Sequence, residues 1–152
     1  MLYRTIIFLI INFAALGIGG WLMDKGPVSE WYLSLDKAPW TPPGWVFGAA
    51  WTFIMITFAV YMAYAWSAAN NLTALLVVFI LQWLLNVAWN PIFFKFHLTV
   101  LGLVCIISLT IVVAYLFINY MHPMKWKSLF VLPYLVWLLL AASLNAYIVI
   151  KN

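Results

Sequence analysis

The chain has 152 residues, of which 68% are hydrophobic and 19% aromatic, and its formal net charge is +4. Its only acidic residues are Asp24, Glu30 and Asp36, so no carboxylate occurs after residue 36. Because a carboxylate at the centre of a bilayer costs about 2.5–3.5 kcal/mol on insertion scales, long apolar runs without acids indicate membrane spans. Proton-coupled transporters normally use a carboxylate within the membrane, and most of this chain has none.

Five apolar runs approach the roughly 20 residues that a helix needs to cross a bilayer. In chain order they cover residues 5–23, 45–66, 72–94, 98–120 and 128–150. A β-barrel would show short alternating segments, which these runs lack, and lipid permits only helices as the other spanning structure. We therefore predict an all-α membrane protein whose single transmembrane domain, residues 1–152, is a bundle of five helices with its termini on opposite faces.

The basic residues lie at the ends of these spans, where their long side chains reach lipid headgroups. They are Arg4, Lys25, Lys37, Lys95, Lys125, Lys127 and Lys151. Scattered in this way, they favour contact with the membrane surface over a nucleic-acid partner. Their division between the two faces is too even to predict the orientation of the bundle.

The longest connection, residues 24–44, contains every acid of the chain and the segment Pro39-Trp40-Thr41-Pro42-Pro43. Proline breaks helices and removes backbone donors, so this segment is predicted to lie in fixed extended turns. Neighbours such as Trp31 and Tyr32 are too apolar for a solvated coil. We predict that the connection forms an ordered lid over one end of the bundle; the alternative is an interfacial belt of aromatic residues.

In the third span, Gln82, Asn86 and Asn90 recur every four residues, so their amides share one helix face beside Trp89. Amides within a membrane helix face the bundle interior, where they either bond other helices or line a cavity. Both possibilities stay open for each residue, although three amides in register beside a tryptophan favour a cavity wall.

Aromatic residues lie at helical spacing in the second and fifth spans. Trp51 belongs to a face that begins directly beneath the predicted lid. The corresponding face of the fifth span contains Tyr134, Trp137, Ala141 and Leu144, with Asn145 beside it. The small side chain of Ala141 leaves room for a ligand or for a neighbouring helix, so this pattern is typical of helix packing as well as of a binding site.

Metal and conventional catalytic chemistry have little support in the sequence. His97 and His122 fall in connections on opposite membrane faces, so they cannot share a metal or a haem iron. The single cysteine, Cys105, lies within the fourth span. We predict no metal site, no resident cofactor and no conventional catalytic residue.

Three stretches of the chain resemble the translocator protein/tryptophan-rich sensory protein (TspO/MBR) family, also called peripheral-type benzodiazepine receptors. The first reads Trp31-Tyr32-x-x-Leu35-x-Lys37-x-Pro39-Trp40-x-Pro42-Pro43-x-Trp45-x-Phe47-Gly48-x-x-Trp51-Thr52. The second reads Asn86-x-x-Trp89-x-Pro91-Ile92-Phe93-Phe94, and the third reads Pro133-Tyr134-Leu135-x-Trp137-x-x-x-Ala141-x-x-Leu144-Asn145. The number of spans agrees, so the resemblance covers nearly the whole chain.

The resemblance implies a five-helix bundle, often dimeric, whose first loop caps a pocket for porphyrins such as protoporphyrin IX. It also implies sterol binding in animal forms and binding of isoquinoline-carboxamide drugs. The pocket residues that it implies here are Tyr32, Pro42, Trp45, Trp51, Asn86, Trp89, Trp137, Ala141, Leu144 and Asn145. We add Gln82 from the amide stripe alone.

We therefore predict a multi-pass protein of a bacterial plasma membrane that binds or senses porphyrins and other flat hydrophobic ligands. Such binding would regulate tetrapyrrole transport or a stress response. The alternatives are light-dependent porphyrin breakdown, in which Trp51 and Trp137 would react, and passive transport of hydrophobic ligands. Leu144, Tyr147 and Lys151 also match a weak sterol-contact pattern, which interfacial anchoring explains equally well.

Overall fold

The computed structural model describes residues 1–152 and is helical throughout its regular structure. The helices are α1 (Leu2–Leu22), α2 (Glu30–Ser34), α3 (Gly44–Ala68), α4 (Leu72–Asn90), α5 (Thr99–Met124) and α6 (Leu132–Lys151). Helix α2 is a short element of the loop that follows α1, and the other five have the length of membrane spans. The predicted bundle of five helices is therefore confirmed.

Four continuous stretches are long and apolar enough to cross a membrane: Leu2–Val28, Gly44–Ala68, Leu72–Lys95 and Thr99–Lys151. The last stretch has 53 residues and contains both α5 and α6. The Asn145 side-chain N–H, near the end of α6, donates to the Thr99 carbonyl at the start of α5 over 3.0 Å. The two helices are therefore antiparallel, and this stretch crosses the membrane twice.

Prolines modify two helix ends. Helix α4 ends at Asn90, and a wider turn follows over Pro91–Lys95, in which the Phe96 N–H donates to the Pro91 carbonyl over 2.9 Å. Helix α5 continues past the predicted end at residue 120 and includes Pro123 in its last turn. Lys125 ends it with a φ of 53°, and a 3₁₀ segment leads into α6.

Contacts between distant residues place the termini on opposite faces of the bundle. Near the N-terminus, an Arg4 guanidinium nitrogen donates to the Ser67 hydroxyl, in the last turn of α3, over 2.7 Å. At the other end, the Asp36 N–H donates to the Asn152 side-chain oxygen over 2.9 Å. The loop that follows α1 therefore lies on the same face as the C-terminus.

This loop has its own internal hydrogen bonds. The Ser29 hydroxyl accepts a bond from the Tyr32 N–H over 3.2 Å and caps the N-terminus of α2. The Lys37 ammonium donates to the carbonyls of Tyr32, Leu33 and Leu35 over 3.0–3.2 Å, so it satisfies the free C-terminal end of this short helix.

The loop is also attached to the ends of two spans. The Trp31 ring stacks on His97, with centroids 4.0 Å apart, and meets Phe93 edge-on at 5.6 Å. The Trp40 N–H donates to the Ser143 hydroxyl of α6 over 3.1 Å. These attachments confirm the prediction of an ordered lid, defined here as residues 24–43.

We expect Trp31→Ala to loosen the lid without unfolding the bundle. Loss of both ring contacts, at about 0.5–1.5 kcal/mol each, should speed amide hydrogen exchange in residues 30–37 about tenfold. Exchange measured by mass spectrometry in nanodiscs checks this, with Trp21→Ala as control because Trp21 is 81% exposed on α1. Unchanged exchange in the lid of the Trp31 variant would show that this stack does not hold the lid.

Candidate functional site

The amide face of α4 points into the bundle beneath the lid. Gln82 is 2% exposed and Asn86 is 7% exposed. Neither side-chain amide forms a hydrogen bond within the chain, and the enclosed Gln82 Oε1 has no partner at all. Buried polar groups are almost always hydrogen-bonded, so the unpartnered Gln82 Oε1 makes this face a candidate for contact with a ligand or a water molecule.

A third unpartnered polar group is the Tyr134 hydroxyl, which is completely buried. Its ring meets Trp51 edge-on at 5.9 Å and Phe58 at 5.2 Å. Phe58 in turn packs on Phe79, one turn before Gln82 on α4. The aromatic residues thus connect the hydroxyl of α6 to the amide face of α4 through α3.

The other two amides bond within the protein. The Asn145 Oδ1 accepts from the Trp89 N–H over 3.3 Å while its Nδ2 donates to the Thr99 carbonyl, so it joins α4, α5 and α6. The Asn90 Nδ2 donates to the Asn86 carbonyl one turn earlier, against the close approach of α1 at Gly19. For these residues the structure supports a packing role.

Aromatic contacts line the boundary between α3 and α6. The rings of Phe47 and Trp137 meet edge-on with centroids 5.4 Å apart, one turn from the contact between Trp51 and Tyr134. Trp137 is 9% exposed and Trp51 is half-buried. These indoles therefore face the interior of the bundle and not the surrounding lipid.

The remaining predicted residues of the two spans lie close to this boundary. The Trp89 ring stacks on Phe93 at 5.3 Å, with an angle of 12° between their planes. Leu144 is buried, and Ala141 is half-buried against the main hydrophobic core. They enclose the region between the amide face and the lid.

Three predicted residues belong to the lid or its junction with α3. Tyr32 packs against Phe94 at 5.3 Å, and burial raises the pKa of its hydroxyl, so it stays protonated at neutral pH. Pro42 is half-buried. Trp45, in contrast, is 75% exposed, and no aromatic contact joins it to the rest of the site. Aromatic contacts thus join Tyr32 to Trp89 through Phe94, whereas Trp45 lies apart from the other predicted residues.

A cavity of about 790 Å³ lies at the opposite end of the bundle, and a second of about 260 Å³ lies among α3, α4 and α5. Neither is lined by a predicted site residue. Beneath the lid, edge-on aromatic contacts join α3 to α6. A flat ligand there would have to displace these rings.

Sequence reasoning missed two polar connections. Asn12, 1% exposed in the middle of α1, donates to the Met55 carbonyl over 3.1 Å. The sequence did hold a signal for this bond, because an asparagine in the middle of a membrane span usually finds a partner on another helix. His97 was considered only as a metal ligand, although its place beside the lid could have indicated its stacking with Trp31.

The residues of the sterol-contact pattern do not form one exposed surface. Leu144 is buried, whereas Tyr147 meets Trp40 edge-on at 5.5 Å and the Lys151 ammonium lies 5.9 Å from the Tyr147 ring. Tyr147 thus contacts Trp40 of the lid, and Lys151 lies over the ring of Tyr147, so packing near the lid accounts for both residues.

Comparison with known proteins matches residues 8–150 to the TspO/MBR family. The chain is 35% identical to the tryptophan-rich protein TspO of Archaeoglobus fulgidus over 144 residues, which are 94% of each chain. It is 31% identical to the protein of the same name from Chlorobaculum tepidum, over 91% of this chain and 89% of that one. It is 30% identical to protein CrtK of Rhodobacter capsulatus, over 87% of this chain and 82% of that protein.

Proposed function

The chain belongs to the TspO/MBR family, and from that premise we propose that it binds porphyrins and similar flat, hydrophobic ligands beneath its lid. It is a multi-pass membrane protein, and the site lies where α3, α4 and α6 meet. The observation that carries the proposal is the pair of buried polar atoms without a partner in the chain, the Gln82 Oε1 and the Tyr134 hydroxyl, with the Asn86 amide one turn from Gln82. A pocket of this kind needs a few placed polar groups within an apolar, aromatic wall.

The amides and the Tyr134 hydroxyl would bind the polar edge of the ligand. The N–H groups of Gln82 and Asn86 and the Tyr134 O–H can donate to a carboxylate of a porphyrin side chain. A hydrogen bond to a charged group contributes about 1.5–3 kcal/mol, more than one between neutral groups. A carboxylate would thereby accept a hydrogen bond from the Tyr134 hydroxyl, which has no partner within the chain, whereas the Gln82 Oε1 needs a donor such as a pyrrole N–H of the ring.

The apolar ring would lie against the indoles of Trp51 and Trp137. Each aromatic contact adds about 0.5–1.5 kcal/mol beyond the burial of apolar area. Because these indoles now meet Tyr134 and Phe47 edge-on, ligand binding must move the rings apart. The lid, attached at His97 and Ser143, would cover the bound ring on the side of the loop.

We expect metal-free protoporphyrin IX to bind more tightly than haem. The site offers no histidine as an axial ligand for iron, since His97 stacks on the lid and His122 lies on the far face. Quenching of tryptophan fluorescence during titration of the purified protein with each compound measures both affinities. Equal or tighter binding of haem would contradict this arrangement, and absence of protoporphyrin binding would contradict the proposed function itself.

The proposal extends to a homodimer in a bacterial plasma membrane that regulates tetrapyrrole transport or a stress response. Sterol binding is not included, because the residues of that pattern are engaged near the lid. Passive transport is tested separately by the flux of labelled porphyrin into liposomes with and without the protein.

A further inference from the structure

A groove of about 790 Å³ runs between α1 and α4 on the N-terminal face of the bundle, away from the lid. Its volume lies within the range of about 300–1,000 Å³ typical of small-molecule sites. Nine of its ten lining residues are hydrophobic, and Arg4 is the exception. The groove is therefore an apolar channel with a single charge.

Aromatic contacts and one hydrogen bond fix the residues that line the groove. Phe8 meets Phe79 edge-on at 5.1 Å and Trp66 at 6.2 Å. Farther in, the Trp83 N–H donates to the Ile11 carbonyl over 3.0 Å. From residue 3 to residue 11 the α1 helix rises about 12 Å, close to the half-thickness of about 15 Å of the hydrocarbon layer. The groove thus has the depth of one leaflet.

The charge at its mouth has no anionic partner in the chain. The Arg4 guanidinium donates to the neutral Ser67 hydroxyl over 2.7 Å and lies 5.7 Å from the Trp66 ring. All three acids belong to the lid, on the opposite face. A guanidinium carries five N–H donors in a fork that matches phosphate oxygens, so most of its donors remain available.

We propose that this groove binds one anionic phospholipid, with its phosphate on Arg4 and an acyl chain along the channel. An anionic headgroup supplies the charge that the chain lacks on this face. A zwitterionic lipid carries its own cation beside the phosphate and gains less from the arginine. This site is separate from the one beneath the lid and does not depend on the function proposed for it.

Charge complementarity favours a lipid over a second copy of the chain as the occupant. A second copy in the same orientation would present Arg4, Lys125 and Lys127 on this face and no carboxylate. Like charges brought together cost free energy, whereas each basic residue near an anionic lipid surface gains about 1 kcal/mol.

Native mass spectrometry of the full chain, with equal amounts of phosphatidylglycerol and phosphatidylcholine of the same acyl chains, tests the proposal. We expect one retained lipid and about a fivefold preference for phosphatidylglycerol. Arg4→Gln should abolish the preference, and Lys125→Gln should keep it because Lys125 is exposed on the same face outside the groove.

A second pair of variants tests the channel. Ile80→Trp should fill the groove and release the lipid, while Leu84→Trp should not. Both positions are on α4 and are exposed to 54% and 53%, but only Ile80 lines the groove. Three outcomes would overturn the proposal: a preference that survives Arg4→Gln, lipid retention that survives Ile80→Trp, or an Ile80→Trp change that abolishes a dimer while lipid retention stays constant.

Discussion

Replacing both Gln82 and Asn86 by leucine is expected to weaken protoporphyrin binding about 100-fold without destabilising the protein. Loss of hydrogen bonds to a charged ligand group, together worth about 2.7 kcal/mol, gives this factor. The stability should stay equal or rise, because leucine at position 82 removes a buried polar atom that has no partner in the chain, and leucine at position 86 removes an amide that bonds no other residue. The two effects in opposite directions distinguish a binding role from a packing role.

Fluorescence titration and thermal unfolding in the same detergent measure the two effects. Asn119→Leu is the matched control, since the Asn119 amide bonds only its own helix, at the Tyr115 carbonyl, near the opposite face. It should leave the affinity unchanged. A double variant that binds protoporphyrin normally, or that unfolds at a clearly lower temperature, would contradict a ligand-facing role for these amides.

Replacing Asn145 by leucine is expected to lower the free energy of unfolding by about 1–2 kcal/mol. The change leaves the half-buried Trp89 N–H without an acceptor and removes the bond to the Thr99 carbonyl. Interhelical hydrogen bonds in membranes contribute about 0.6 kcal/mol on average and up to about 1.7 kcal/mol, and the stranded indole adds to the loss.

Reversible unfolding in mixed micelles measures this free energy, and Trp89→Phe completes a double-mutant cycle. We expect a coupling of about 0.5 kcal/mol or more between the two positions. Additive effects of the two changes would show that the bond between Asn145 and Trp89 contributes nothing to stability.

Much of the fold follows from the sequence because the bilayer restricts the possible structures. Apolar runs of sufficient length, free of acids, predict the five helices, and the Pro39–Pro43 segment predicts the ordered lid. The ends of the helices follow less directly. Pro123 looks like part of a loop, yet a proline in the last turn of α5 removes only one backbone hydrogen bond, so the helix continues to Met124.

The site was only partly predictable. Helical spacing places Gln82, Asn86 and Asn90 on one face, but spacing cannot show which amides find partners on other helices. Asn145 does, because the Thr99 backbone of α5 lies within reach, whereas Asn90 bonds the Asn86 carbonyl of its own helix. Trp45 shares the family motif with Trp51, yet it lies in the first turn of α3, where its ring is exposed.

The Arg4 groove had no signal in the sequence. Its lining residues come from α1, α4 and the end of α3, and they look like ordinary residues facing lipid in each helix taken alone. Only their arrangement in three dimensions creates a channel, and only the absence of acids from that face leaves the arginine without a partner.

An experimental structure of the protein with bound protoporphyrin IX tests the central claim most directly. We predict that the ring lies between the indoles of Trp51 and Trp137, with a carboxylate within hydrogen-bonding distance of the Gln82 or Asn86 amide. A porphyrin held in the groove beside Arg4, or on the outer surface of the bundle, with both amides still unbonded, would contradict it.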